Sequence, residues 1–89
     1  MLTWPPKDAD ERLDYQVDWS TRIDTDTIIT SVWTIPLGIT KESDYYSDTI
    51  TTIWLSGGTT NTDYELRNTI TTASGRILDQ TVVLLVRER

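Results

Sequence analysis

The sequence predicts an all-β sandwich, and three observations carry that prediction. Thr, Ile and Val number 17, 9 and 5 of the 89 residues, and branching at Cβ suits a pleated surface better than a helix. Apolar and polar residues alternate in several segments, which is the period of a half-buried strand. Turn signals separate these segments, and none of them carries a long apolar stripe at helical spacing.

Taken in order, residues 1–11 read as an extended N-terminal arm ahead of a sandwich domain over residues 12–89. Pro5 and Pro6 favour a polyproline-like path, and Lys7 to Glu11 is charged and solvated. In the first strand Leu13, Tyr15, Val17 and Trp19 share one side, with Asp14, Gln16 and Asp18 on the other. Ser20 to Asp26 is polar, with a turn at Asp24-Thr25-Asp26. The next strand spans Thr27 to Ile35, and the face of Ile29, Ser31, Trp33 and Ile35 is assigned to the core because it buries more apolar area. Pro36 and Gly38 end it. Ile39 to Asp48 is the least regular stretch, read as a short edge strand and then a polar loop carrying Tyr45 and Tyr46. Thr49 to Ser56 forms a strand that stops at Gly57-Gly58. Thr62 to Thr72 follows, with Tyr64, Leu66 and Ile70 on one face. A hairpin at Ala73-Ser74-Gly75-Arg76 leads into the last strand, Ile77 to Arg87, whose apolar side is Leu78, Val82, Leu84 and Val86.

Two aromatic residues sharpen the fold class to an immunoglobulin-like sandwich of about seven antiparallel strands. Tyr64 opens the penultimate strand two residues before a core position, where such domains place a tyrosine corner. Trp33, on an early strand, is suited to pack across the sheets as the core tryptophan, and Trp19 joins the same interior.

Composition narrows the chemistry. The chain has neither Cys nor His, so no thiol and no imidazole is available as nucleophile, base or metal ligand. Its net charge is −6, and seven of its 14 acidic residues precede position 27. Such a surface repels phosphate backbones, so no nucleic-acid partner is expected. Asp8, Asp10 and Glu11, like Asp24 and Asp26, lack the spacing of a calcium loop and read as solvated turns. Gly57-Gly58-Thr59-Thr60 lacks the lysine and helix of a phosphate cradle. No enzyme activity, metal or cofactor is expected. No run is long enough to span a membrane, and Trp4-Pro5-Pro6-Lys7-Asp8 interrupts any leader-like stretch, so synthesis in a cytosol is expected.

Apolar side chains that face outward are the better functional signal. If Ile53 and Leu55 point inward, Trp54 points out; if Leu78, Val82, Leu84 and Val86 fill the core, Val83 and Leu85 do not. Trp4 sits on the proline-stiffened arm. Large exposed aromatics anchor interfaces, which makes Trp4, Pro5, Pro6, Trp54, Val83 and Leu85 the candidate interface residues. The alternatives are that Trp4 folds over an open end of its own sandwich and that a bulge reverses Trp54.

The stretch from Trp4 to Glu11, then Leu13-Asp14-Tyr15 and Asp18-Trp19-Ser20, resembles the start of the phage fiber–tail adaptor proteins. Trp33-Thr34-Ile35-Pro36, Trp54-Leu55-Ser56-Gly57-Gly58 and Tyr64 to Thr72 are similar as well, so the likeness covers nearly the whole chain. The resemblance implies an immunoglobulin-like structural protein of the virion, made in the bacterial host cytoplasm. It further implies several copies held by other virion proteins (tail, neck or fiber subunits). Two other readings stay open: a capsid-decorating or neck protein of the same fold, and a glycan-binding module with Trp54, Tyr45 and Tyr46 as a sugar-stacking platform.

Overall fold

Alternating side chains build two sheets that face each other across a single apolar interior. The computed structural model describes residues 2–88; Met1, at the head of the expected arm, and Arg89, at the end of the expected domain, lie outside the described residues. Seven strands run β1 (Leu2–Lys7), β2 (Leu13–Asp18), β3 (Ile28–Thr34), β4 (Ile39–Tyr46), β5 (Ile50–Gly57), β6 (Thr62–Thr72) and β7 (Ile77–Val86). A one-turn helix, α1 (Ser20–Ile23), lies between β2 and β3. One sheet has the order β1-β7-β6-β3 and the other β2-β5-β4. In immunoglobulin lettering β2 to β7 take the places of B, C, D, E, F and G, so BED faces CFG.

Four expectations need correcting. Residues 2–7 are not an arm outside the sandwich: they form β1, which pairs parallel to β7, so the ladders are not all antiparallel. The chain from Ile39 to Tyr46 is one eight-residue strand and not a short strand with a loop. Its register slips between Lys41 and Ser43, and that bulge obscures the alternation in the sequence. A second slip, between Ile28 and Thr30, turns Ile28 into the core and leaves Ile29 exposed. Beyond it Trp33 is again buried. The polar stretch after Trp19 contains α1, whose Ile23 is buried as part of the core.

The interior is made of Val17, Ile53, Leu55, Leu66, Ile70, Val82, Leu84 and Val86, with Trp19 and Trp33 among them. Each such aliphatic side chain contributes about 1.5–3 kcal/mol on burial. Asn68 stands in the middle of this apolar set, fully buried on β6. Its Oδ1 accepts from the Trp19 indole at 3.1 Å and the Thr51 hydroxyl at 2.6 Å. Its Nδ2 donates to Ser31 Oγ at 3.0 Å and the Val32 carbonyl at 3.2 Å. Both amide protons and both lone-pair directions of the side chain are thereby used. The network spans β3, β5, β6 and the start of α1, and so ties the two sheets together.

Tyr64 is buried at the start of β6, and its Oη accepts the Thr59 backbone N–H at 2.8 Å. Hydrogen bonds from the Thr59 hydroxyl and then the Thr59 N–H hold the phenol below its ordinary pKa. The ring also lies over Gly58, where a Cβ would sit 2.8 Å from Val86 Cγ2 and where φ is +100°, so only glycine fits that corner. Tyr64→Phe keeps the ring and orphans the Thr59 N–H. The thermal midpoint should fall by roughly 4–8 °C, the shift that one lost hydrogen bond gives a domain of this size. An unchanged melting curve would show that the hydroxyl only replaces water.

At the opposite end, Asp26 joins the turn before β3 to the β6–β7 hairpin. Its carboxylate accepts from the Ser74 hydroxyl, from the Ser74 N–H at 3.2 Å and from the Thr27 N–H at 3.0 Å. These bonds, with a further one from Thr72, hold its pKa at about 2 against an ordinary 3.8. A depressed folded-state pKa stabilises the fold above the unfolded value and loses that contribution as pH falls through the folded value. Between pH 4 and 2 the midpoint of the wild type should therefore drop more steeply than that of Asp26→Asn, measured by thermal denaturation across that window. Parallel curves would refute the linkage.

Candidate functional site

Three surfaces carry the residues singled out from the sequence. The first is the flank where β1 of one sheet passes β2 of the other. Trp4 is only 5% exposed; its ring stacks on Tyr15 with centroids 4.7 Å apart and lies 5.8 Å from Trp33. Its indole N–H donates to the Gln16 carbonyl at 3.1 Å, and the Tyr15 hydroxyl donates to the Pro5 carbonyl at 3.3 Å. Trp4 thus belongs to its own sandwich, and the reading of it as an anchor exposed for a partner is corrected. The physical reason is the parallel ladder: Trp4 sits opposite Leu84 on β7, so it takes the inward phase of that strand. Pro5 and Pro6 remain exposed beside it.

Lys7 closes the same strand and is also buried. Its Nζ donates to the Gly57 carbonyl at 2.7 Å and the Asp8 carbonyl at 2.8 Å, joining β1 to the end of β5. Burial pushes the ammonium below its ordinary pKa, and Glu11, Asp8 and Asp10 pull it partly back. Periodicity gave no sign of this, because a lysine next to Asp8 reads as solvated. The Asp8–Glu11 carboxylates act as turn acceptors: Glu11 Oε1 takes the Asp8 N–H at 2.8 Å and Asp8 Oδ1 the Asp10 N–H at 3.0 Å.

The second surface is the outer face of the three-stranded sheet. Trp54 points outward from β5, half-buried, between Asp14 on β2 and Ser43 on β4. The Arg12 guanidinium lies over its ring at 4.7 Å and reaches Glu42 at 3.7 Å; Glu42 also accepts from Ser56 at 2.7 Å. Cation–π contact of this kind is worth about 0.5–1 kcal/mol at an exposed site. Tyr45 stands diagonally across, opposite Thr52 and 56% exposed. Tyr46 takes the other phase of β4 and donates its hydroxyl to the Ile29 carbonyl at 2.6 Å. The structure therefore brings Arg12, Trp54 and Tyr45 together and separates Tyr46 from them. With Arg12 over the Trp54 ring and Tyr46 turned away, the three aromatics do not make a flat sugar platform.

The third surface is the outer face of the four-stranded sheet. Val83 lies between Thr3 and Glu65, and Leu85 beside Asp63. Both are half-buried, since β1 covers one side of β7. Tyr64, Trp33 and Trp19 lie in the interior described above. Among the described residues no group of three or more His, Cys, Asp or Glu side chains is placed to hold a metal ion, and no helix is long and apolar enough to cross a membrane.

Comparison with known proteins adds two findings. The profile of a family described as podophage GP4 fiber-tail adaptor protein gp77 matches residues 7–85. The solution structure of the PKD domain from KIAA 1837 protein is similar in fold, with a TM-score of 0.58 at 22% identity, over 99% of this chain and 78% of that one. No curated protein matches the chain. The PKD likeness speaks to the fold alone.

Proposed function

The chain belongs to the podophage fiber–tail adaptor family, and from that premise we propose that it sits in the virion and joins a fiber to the tail through protein–protein contacts. It acts as a structural subunit present in several copies, without a cofactor and without contact to nucleic acid or membrane. The charge of −6 suits that choice of partner, since like charge keeps the chain away from packaged DNA.

One surface supports this role above the others: the outer face of the three-stranded sheet, where Arg12, Trp54 and Tyr45 stand together. Trp, Tyr and Arg are the residue types that dominate binding energy at interfaces. They pair a large apolar area with a polar edge, so they tolerate water before docking and gain on its removal. Val83 and Leu85 offer a second, more apolar contact on the opposite face. A domain with a contact surface on each sheet can hold one partner on either side.

Trp54→Ala tests the role. Trp54 is half-buried on an outer face, so the thermal midpoint of the isolated domain should shift little. Particles assembled with the variant should lose fibers, counted as fiber protein per particle. Full fiber content in particles that lack this chain altogether would overturn the adaptor role.

A further inference from the structure

Immunoglobulin domains of the constant type complete the BED sheet with strand A, seated beside B. Here β1 goes entirely to the other sheet, and the three-stranded sheet ends at β2. The place beside β2 is a groove of about 550 Å³, lined by Trp4, Pro5, Pro6, Leu13 and Tyr15 and edged by Asp14 and Gln16. The Trp19 N–H bonds to Thr49 next to β5, so the odd-numbered backbone groups of β2 face β5. Those of Asp14, Gln16 and Asp18 point away from β5, and Asp14 and Gln16 edge the groove, where the Gln16 carbonyl already meets the Trp4 indole. That carbonyl keeps a second lone pair. The opposite wall carries Pro5 and Pro6, which have no N–H to offer the outward carbonyls of β2.

We infer that β2 takes an extended segment of a partner protein as an added strand, in which apolar and basic side chains alternate. Asp14 and Asp18 are exposed on the outer phase of β2, so basic residues of the added strand would stand opposite them. Its other phase would lie over Trp4 and the two prolines, which calls for apolar side chains. A second copy of this chain fits poorly: antiparallel pairing of two β2 strands about Gln16 sets Asp14 of each against Asp18 of the other, and like charges directly opposite destabilise a ladder. Six residues of β2 span roughly 20 Å, enough for a segment of comparable length. Strand addition of this kind draws affinity from the main chain and specificity from alternate side chains. The inference deepens the adaptor reading by giving the chemistry of one partner contact.

The test titrates the ¹⁵N-labelled full chain with the acetylated, amidated peptide Lys-Val-Lys-Val-Lys-Val. Amide shifts and slowed hydrogen exchange should appear at Asp14, Gln16 and Asp18. Asp14→Lys, chosen because the Asp18 carboxylate holds the Ser20 N–H at 2.9 Å, should weaken binding at least tenfold without changing the melting midpoint, and a Glu-Val peptide should not bind the wild type. In assembled particles, a photo-crosslinking residue at position 16 should capture a basic, extended segment of a different virion protein. Shifts elsewhere, equal binding of the Glu-Val peptide, or crosslinks only between copies of this chain would overturn the inference. If the chain is absent from particles the adaptor role fails, and the peptide titration still decides the edge.

Discussion

Deletion of residues 1–8 should unfold the isolated domain. Those residues include all of β1, and with it Trp4, the Lys7 bonds to Gly57 and Asp8, and one neighbour of β7. Trp4→Ala alone should cost about 3–5 kcal/mol, as expected for truncating a buried aromatic residue. That is a large share of the roughly 5–15 kcal/mol that separates a folded domain from its unfolded chain. The deletion removes more than the substitution, because β7 would then be an edge and Tyr15 would lose its stacking partner. Circular dichroism and urea denaturation of the two variants check the claim. A truncated domain that melts at the wild-type temperature would return the segment to the status of a dispensable arm.

Asn68→Ala should be comparably severe. It leaves the Thr51 hydroxyl, the Ser31 hydroxyl and the Val32 carbonyl short of a partner in or beside the core, and takes one of two acceptors from the Trp19 indole. Each group orphaned away from water costs about 1–3 kcal/mol, so a loss of about 3–5 kcal/mol is expected by urea denaturation. Asn68→Asp separates hydrogen bonding from size. It keeps the shape but removes both donors and adds a buried charge, so it should destabilise strongly near pH 7 and recover in part under acid. Near-wild-type stability of either variant would show that water replaces the amide.

Much of the sandwich was legible in the alternation of residues such as Leu13 to Val17 and Leu78 to Val86. Period two shows a strand wherever one face is wet. It failed at Ile28–Ile29 and Lys41–Ser43, where a bulge resets the phase and the residues themselves give no sign of it. It failed also at residues 2–7. Two prolines and a flanking charged run describe an extended chain, which is correct, but the parallel partner lies some 80 positions away along the sequence and has no local signature. Asn68 and Lys7 were missed for a related reason: a polar residue at an inward position reads as an interruption until its partners are seen. The outward phase of Trp54, Val83 and Leu85 was legible because each lies next to an unambiguous core residue on a regular strand.

The parallel pairing of β1 with β7 has a mechanical consequence. Leu2 lies beside Val82, while Lys7 lies beside Val86, so the first strand begins at one end of the ladder and the last strand finishes at the other. A pull between the two ends of the chain therefore acts along the strands and slides β1 against β7. In that shearing geometry every rung of the ladder is stretched at once, whereas peeling a hairpin open would break its rungs one after another. Tension between the ends is met first by these two strands, with the stacked rings of Trp4 and Tyr15 beside them.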